Sequence, residues 1–176
     1  NIKLCKWLLT LPYISYPTTE IANFACRYSN IRTLKWLASL PNPVFPNKEG
    51  ALETVKYESN NNVAVLKWMS TLSPPISIDQ EIYELAFDVN NLKVIKWMAT
   101  LSPPFLPNRH HLMDALNNKD VDLLKFILKA NPKLRSEQTL IRKLIKYDQK
   151  SLIVYLSELS PPILPTLKDI SWAIVR

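Results

Sequence analysis

One segment is written six times along this chain, and its spacing limits the folds open to it. Asn91 through Pro104 reads Asn-Leu-Lys-Val-Ile-Lys-Trp-Met-Ala-Thr-Leu-Ser-Pro-Pro, and Asn62 through Pro75 nearly repeats it. Earlier copies run from Asn30 to Pro41 and from Asn1 to Pro12; weaker ones run from Asp120 to Pro132 and from Gln149 to Pro162. Their central aromatic residues are Trp7, Trp36, Trp68, Trp97, Phe126 and Tyr155, in steps of 29, 32, 29, 29 and 29. A near-constant period of this length marks a repeat architecture.

Counting from the aromatic, positions −5, −2, +1 and +4 are apolar: Val63, Leu66, Met69 and Leu72 in one copy, Leu92, Ile95, Met98 and Leu101 in the next. Such spacing lays one stripe along a helix, which Val65, Val94 and Leu123 at −3 widen. Asn or Asp at −6 is placed to cap the first turn, and proline at +5 or +6 ends the helix. About 10 or 11 helical residues are expected per copy. Between copies lies a second helical pattern, clearest where Asp79 precedes Gln80-Glu81-Ile82-Tyr83-Glu84-Leu85-Ala86-Phe87. Alanine at −11 (Ala25, Ala86, Ala115) suits close approach of the two helices; Tyr57 and Leu144 take that position elsewhere. Two or three residues separate the helices, so each pair should be an antiparallel hairpin. Strand patterns are absent. The predicted fold is all-α, a solenoid of stacked hairpins, because one hairpin cannot bury its own apolar stripe. Full units are expected at about 18–41, 47–73, 78–103, 107–132 and 136–161, with half-units at 1–12 and 166–176. The chain thus begins and ends inside a repeat, and further repeats or a partner domain are expected beyond both ends.

Composition narrows function. The chain holds 14 prolines, explained by one proline loop per repeat, and a single glycine, Gly50, which excludes a glycine-rich phosphate loop. No catalytic constellation and no cofactor motif is visible, so no enzyme is expected. His110 and His111 are adjacent, about 100° apart on a helix, and cannot share a metal; one is expected to pack and the other to face solvent. Cys5 and Cys26 read as small apolar residues of a reducing, intracellular compartment. No apolar run is long enough to span a membrane. Net charge is +7, distributed as +4 over residues 1–46, −4 over 47–90 and +7 over 91–176.

Glu84 through Met98, with its alanine-bearing first helix, polar turn and Val94-Ile95-Lys96-Trp97-Met98 second helix, resembles the core of an ankyrin repeat, where a Val-Val-Lys-x-Leu-Leu helix follows in this order, and Asn108 through Leu128 matches in the same way. The opening Thr-Pro-Leu-His motif is missing, Asn90, Asn61 or Ser29 replaces the turn glycine, and the unit is shorter where that family extends a β-hairpin finger. The resemblance implies a nearly pure helical array without fingers; tetratricopeptide- and HEAT-like arrays are the competing folds. Lysine-, asparagine- and isoleucine-rich, Trp-bearing repeats of this kind are similar to those of large DNA viruses and of amoebal and bacterial effectors, which implies a host-interaction scaffold or adaptor that binds a protein partner.

Three features are candidates for binding. The column Trp7, Trp36, Trp68, Trp97, Phe126 and Tyr155 should form a buried seam between second helices, or else an exposed ladder on which bases stack. Lys6, Lys35, Lys67, Lys96 and Lys125 precede those aromatics; they either cover apolar surface with their stems or track phosphates. The Ser-Pro-Pro loops are rigid connectors or a docking edge. The basic stretch Lys133, Arg135, Arg142, Lys143, Lys146 and Lys150 is the expected contact for an acidic protein partner. Nucleic acid is the alternative partner, although the −4 segment interrupts a phosphate-tracking path.

Overall fold

The computed structural model describes residues 2–174 apart from 12, 14, 137, 138, 148, 160 and 161, with the backbone alone described for 136, 139, 172 and 173. Asn1, Pro12, Ser160, Pro161 and the Trp172 side chain, to which the sequence assigned a cap, loop positions and an apolar end, lie outside the described residues. Among the described residues the structure is all-helical, with no strand.

The chain forms two compact units, Asn1–Phe105 and Leu106–Arg176. The first holds α1 (Ile2–Leu8), α2 (Thr19–Arg27), α3 (Ile31–Ala38), α4 (Lys48–Lys56), α5 (Asn62–Ser70), α6 (Gln80–Asp88) and α7 (Leu92–Met98). In it each even-numbered helix packs on its odd-numbered successor, α4 lies between α2 and α6, and α5 touches α7. The second unit holds α8 (Arg109–Asn117), α9 (Val121–Ala130), a 3-10 turn (Pro132–Ser136), α10 (Thr139–Lys146), α11 (Lys150–Ser157) and α12 (Leu167–Ile174). There α8 packs on α9, and α10 on both α11 and α12.

The turn inside each pair explains the repeat's economy. Ser29, Asn90 and Lys119, each seven residues before the aromatic, have φ of 47, 55 and 58°. This left-handed residue lets the next N–H reach back: Asn30 N bonds to Ala25 O, Asn91 N to Ala86 O and Asp120 N to Ala115 O at 2.7–3.2 Å, a Schellman closure of the first helix. The same −6 side chain then opens the second helix, Asn30 accepting from Thr33 N, Asn91 from Val94 N and Asp120 from Leu123 N. One residue closes one helix and caps the next.

The copy with three extra residues breaks this rule. Asn61 has φ −102° and no capping side-chain bond, and Asn62 is inside α5, fully buried. Its side chain accepts from Ser29 Oγ at 2.6 Å and donates to Tyr57 O at 3.0 Å, so the expected cap at Asn62 is corrected to a buried cross-link. The insertion sits between α4 and α5, which places Thr54 rather than Tyr57 at the alanine position; Thr54 is buried and Tyr57 exposed. Gln149 likewise makes no side-chain cap bond.

Second helices are shorter than expected, commonly 7–9 residues. The reason lies at +3, where the Thr10, Ser39, Thr71 and Thr100 hydroxyls donate to the carbonyl of their own Trp at 2.6–2.8 Å. The chain leaves the helix there, about a turn before the proline. The loop then returns, and Val44, Ile76, Phe105 and Ile163 each donate their N–H to the carbonyl seven residues earlier. Ser73-Pro74 and Ser102-Pro103 are cis peptides.

The core follows from the stripe, with its centre moved. Leu34 and Leu37, Val65, Leu66 and Met69, Val94, Ile95 and Met98, Leu124 and Ile127 are fully buried, and Leu123 nearly so. These are −3, −2 and +1; positions −5 and +4 are only half-buried. Facing them are Ala22, Ala25, Ala51, Ala86 and Ala115. Burying one such large side chain contributes about 1.5–3 kcal/mol.

A close approach is made at Gly50, where α4 meets α2. A methyl added there would lie 2.6 Å from Asn23 Oδ1, 2.9 Å from Pro46 Cβ and 3.1 Å from Cys26 Sγ. Asn23 cannot yield freely, because it donates to Asn47 Oδ1 at 2.9 Å and accepts from Asn47 N at 3.1 Å. Alanine would raise helix propensity by about 1 kcal/mol, but overpacking costs about 1–3 kcal/mol and the Asn23–Asn47 pair is lost as well. Gly50→Ala is therefore expected to lower unfolding stability by roughly 1–2 kcal/mol in urea titrations; a stabilised variant would show that α2 and α4 are not in contact there.

Candidate interaction surface

The even-numbered helices turn a sequence-variable face outward. In the first unit that face carries Glu20, Glu49, Glu81, Glu84 and Asp88; in the second it carries His110, Arg142, Lys143, Lys146 and Lys168. Positions −13 and −12 read Asn23-Phe24, Glu84-Leu85, Met113-Asp114 and Arg142-Lys143. In α4 the sequence assigned Val55-Lys56 to this face, but Val55 is fully buried. The insertion shifts the register, and Leu52-Glu53 hold the equivalent positions, Leu52 half-buried and Glu53 buried in its ion pairs with Arg27 and Lys56.

On the first unit, α2 and α4 build a polar and aromatic cluster. Arg27 Nε donates to Glu53 Oε2 at 2.8 Å, and Lys56 Nζ lies 2.9 Å from Glu53 Oε1. The Arg27 guanidinium also lies 5.4 Å from the centre of the Phe24 ring and 5.2 Å from that of Tyr57, within cation–π range. Phe24, Tyr28 and Tyr57 are exposed, and Phe24 meets Tyr28 edge-on at 5.3 Å. Aromatics and arginine in this state are the residue types that anchor protein interfaces.

On the second unit the expected basic residues do not act alike. Lys133 and Arg135 are in the 3-10 turn, where Arg135 Nε donates to Leu128 O at 2.9 Å and closes the end of α9. Arg142 is joined to Asp169 at 3.1 Å and ties α10 to α12. Lys150 opens α11. Lys143 donates to Asn117 Oδ1 at 3.3 Å, and Lys146 lies 5.7 Å from the Tyr147 ring centre. Lys119 lies 5.6 Å from the same ring, and Tyr147 Oη donates to Asn117. The structure thus gathers Lys119, Lys143 and Lys146 around Tyr147. Sequence reasoning passed over Lys119 and Tyr147; the signal was the Tyr at −8 of the last copy, one residue from the lysine-bearing end of α10.

The aromatic column sits at the rim of the stripe. Trp36, Trp68, Trp97, Phe126 and Tyr155 are half-buried and Trp7 is 57% exposed. Lys6, Lys35, Lys67 and Lys96 are exposed, whereas Lys125 is half-buried with its ammonium 5.7 Å from the ring centre of Tyr155. The proline loops of the first unit line a groove of about 700 Å³ among Pro17, Phe45, Pro46, Pro74, Pro75 and Ile76. Phe105 tucks in beside Tyr83, 5.4 Å ring to ring.

His111 is buried and its Nδ1 accepts from Asn108 N in a capping box, while His110 is exposed beside Asp114. Among the described residues no group of His, Cys, Asp and Glu is arranged to hold a metal, and no helix is long and apolar enough to cross a membrane. Both cysteines are free thiols. Burial pushes the Cys26 thiol up to about 12 against a weaker opposing bond from Thr54, so it stays protonated and a poor nucleophile. No family model, no curated protein and no solved structure matches this chain.

Glu53 supplies the pH dependence of the α2–α4 cluster. The bond from Lys56, and after it that from Arg27, holds its carboxyl below its usual value of 4.5. A carboxyl depressed by folding adds stability that is present above the unfolded value and lost as pH falls through the folded one. Glu53→Gln should therefore lower stability at pH 7 and flatten the decline in stability below about pH 5. Urea unfolding across that range checks this; an unchanged pH slope would contradict it.

Proposed function

We infer that this chain is a non-catalytic interaction scaffold, an α-solenoid of ankyrin-like helix pairs lacking the β-hairpin finger, which binds a protein partner through the outward face of its even-numbered helices. The observation that carries this reading is a near-constant frame with variable decoration. The same −3, −2 and +1 positions are buried in the copies centred on Trp68, Trp97 and Phe126, and the same left-handed turn closes the pairs at Ser29, Asn90 and Lys119, while the outward residues change from Asn23-Phe24 to Glu84-Leu85 to Arg142-Lys143. Repeat arrays recognise partners in this manner, with side chains from several units reading one extended surface.

The Lys119, Lys143, Lys146 and Tyr147 cluster supports an acidic partner segment on the second unit, since clustered positive charge steers and orients an acidic surface. Lys133 and Lys150 extend the same basic surface in this reading. The family likeness to repeat proteins of large DNA viruses and of amoebal and bacterial effectors supports a partner inside a cell, and no cofactor or small substrate enters this reading.

The competing partner is nucleic acid, which the exposed Lys6, Lys35, Lys67 and Lys96 would favour. A gel-shift titration with single- and double-stranded DNA and RNA separates the two. At about 0.15 M salt, where charges are screened beyond ~8 Å, the scaffold reading expects no sub-micromolar shift. It also expects protein partners cross-linked to the wild-type chain to be lost with the Lys143→Glu, Lys146→Glu double variant. A sub-micromolar nucleic-acid complex abolished by that double variant would replace the scaffold assignment.

A further inference from the structure

The two sides of the first unit differ in charge as well as in variability. α3 exposes Arg32 and Lys35, α5 exposes Lys67 with Ala64 and Ser70, and α7 exposes Lys93 and Lys96. None of these is acidic, and α1 continues the pattern with Lys3 and Lys6. Every carboxylate of the unit stands on α2, α4 or α6, on the α6 cap Asp79, or in the α4–α5 turn at Glu58. The cations of the even-numbered helices are used internally: Arg27 and Lys56 pair with Glu53, and Lys48 with Asp79 and Glu81. On the other side Lys93 lies 4.0 Å from Glu58 and donates to Asn60 Oδ1 at 2.6 Å. Arg32, Lys35, Lys67 and Lys96 have no ion-pair partner among the described residues. The net charge of −4 over residues 47–90 thus belongs to the even-numbered side and one turn. Folding separates it from the lysine row that it interrupts in the sequence.

The arrangement is a sheet of charge and not a track. Cations at −4 and −1 are about 4.5 Å apart along a helix axis and share a face with the aromatic at 0. The helices lie side by side, since α4 lies between α2 and α6 and each of these carries its odd-numbered partner. Trp36, Trp68 and Trp97 sit among the cations half-buried. Their indole N–H groups bond to no described residue and are open to solvent, so each ring has a seated apolar end and a wet tip. A base stacks on an open ring face, which a half-buried indole does not present. A surface repeated unchanged from helix to helix also reads no particular protein, in contrast to the variable even-numbered side. It matches a partner that is itself planar, uniform and negatively charged, whose interface accommodates both indoles and lysine stems.

We propose that the odd-numbered side of the first unit is a peripheral docking surface for an anionic lipid bilayer. Arg32, Lys35, Lys67, Lys93 and Lys96 meet the headgroup anions, and the indole tips of Trp36, Trp68 and Trp97 lie at the same level. Each cation held near such a surface strengthens attachment about fivefold, the equivalent of about 1 kcal/mol. The chain docks on the bilayer without crossing it, as no helix among the described residues is long and apolar enough to do so. This goes beyond the scaffold reading and uses the other side of the unit, so the outward face of α2, α4 and α6 stays free for a protein partner at the membrane.

Co-sedimentation of the 176-residue chain with vesicles tests it. At about 0.15 M salt the chain should pellet with phosphatidylcholine vesicles containing about one-third phosphatidylserine. With phosphatidylcholine alone it should stay in the supernatant. A Lys35→Gln, Lys67→Gln, Lys96→Gln variant should bind the anionic vesicles about 100-fold more weakly, the product of three fivefold steps. These side chains are exposed, so helical circular dichroism should match the wild type. Arg32→Gln with Lys93→Gln is an independent probe of the same row, with a loss of about 25-fold expected. Lys143→Glu with Lys146→Glu removes more positive charge, but from the second unit, and should weaken binding far less than the triple variant. No binding to anionic vesicles, equal binding to neutral ones, or equal losses in the row and second-unit variants would each overturn the proposal. So would a gel shift with DNA or RNA at that salt that the triple variant abolishes, since it would assign the row to a nucleic-acid backbone. Loss of vesicle binding leaves cross-linked protein partners in place, so this proposal and the scaffold reading fail separately.

Discussion

Helices of seven to ten residues, paired two by two, have more apolar surface than one pair can hide. Isolated helices of this length are marginal in water, since nucleation costs more than so few hydrogen bonds return. Packing must therefore supply the stability, and in this chain it comes from three positions per copy. Residues at −3, −2 and +1 of α5, α7 and α9 are buried, as are those at −2 and +1 of α3, and the even-numbered helices answer with alanine, glycine or threonine so that the backbones can approach. Gly50 is one case, since a methyl there would collide with Asn23 and Pro46. Every other regularity of the structure serves to bring those positions into register.

The turns are the means. A left-handed residue, a Schellman closure and an N-cap are compressed into three residues, so the two helices of a pair leave almost no slack between them. The residue types follow from that geometry. Asn90 tolerates positive φ because its short polar side chain can bond locally, and Ser29 is held there by its hydroxyl bond to Asn62. Lys119 has no such compensation. Where three residues are inserted, the closure is abandoned and the buried Asn62 side chain replaces it, binding the preceding pair through Ser29 and its own pair through Tyr57. Asn91 makes a related link, donating to Val55 O at 3.1 Å.

Much of this was legible in the sequence. The period, the helical stripes, the caps at Asn30, Asp79, Asn91, Asn108 and Asp120, and the division of labour between His110 and His111 follow from spacing and side-chain chemistry. The centre of the stripe was not legible, because 3.6-residue periodicity gives a face but not which edge of that face meets a neighbour; −5 and +4 read as strongly as −2 and +1. The insertion misled the reading of α4, since counting back from Trp68 assumes a constant turn length, and Tyr57 and Val55-Lys56 were placed accordingly. The serine and threonine hydroxyls at +3 were visible as residues but not as helix ends. On the surface, the basic stretch could be seen in the sequence, yet its internal use could not: Arg135 and Arg142 are drawn into closing α9 and joining α12, whereas Lys119 joins Lys143 and Lys146 only through folding.

The claim most open to direct test is that stability resides in the narrow register rather than in the apolar stripe as a whole. Leu66 at −2 is fully buried and Leu72 at +4 is half-buried, in the same copy and with the same side chain. Urea unfolding of Leu66→Ala and Leu72→Ala compares them with chemistry held constant. The account predicts a loss of about 2–5 kcal/mol for Leu66, the range for a buried leucine, and less than half of that for Leu72. Equal losses at the two positions, or a larger one at Leu72, would contradict it.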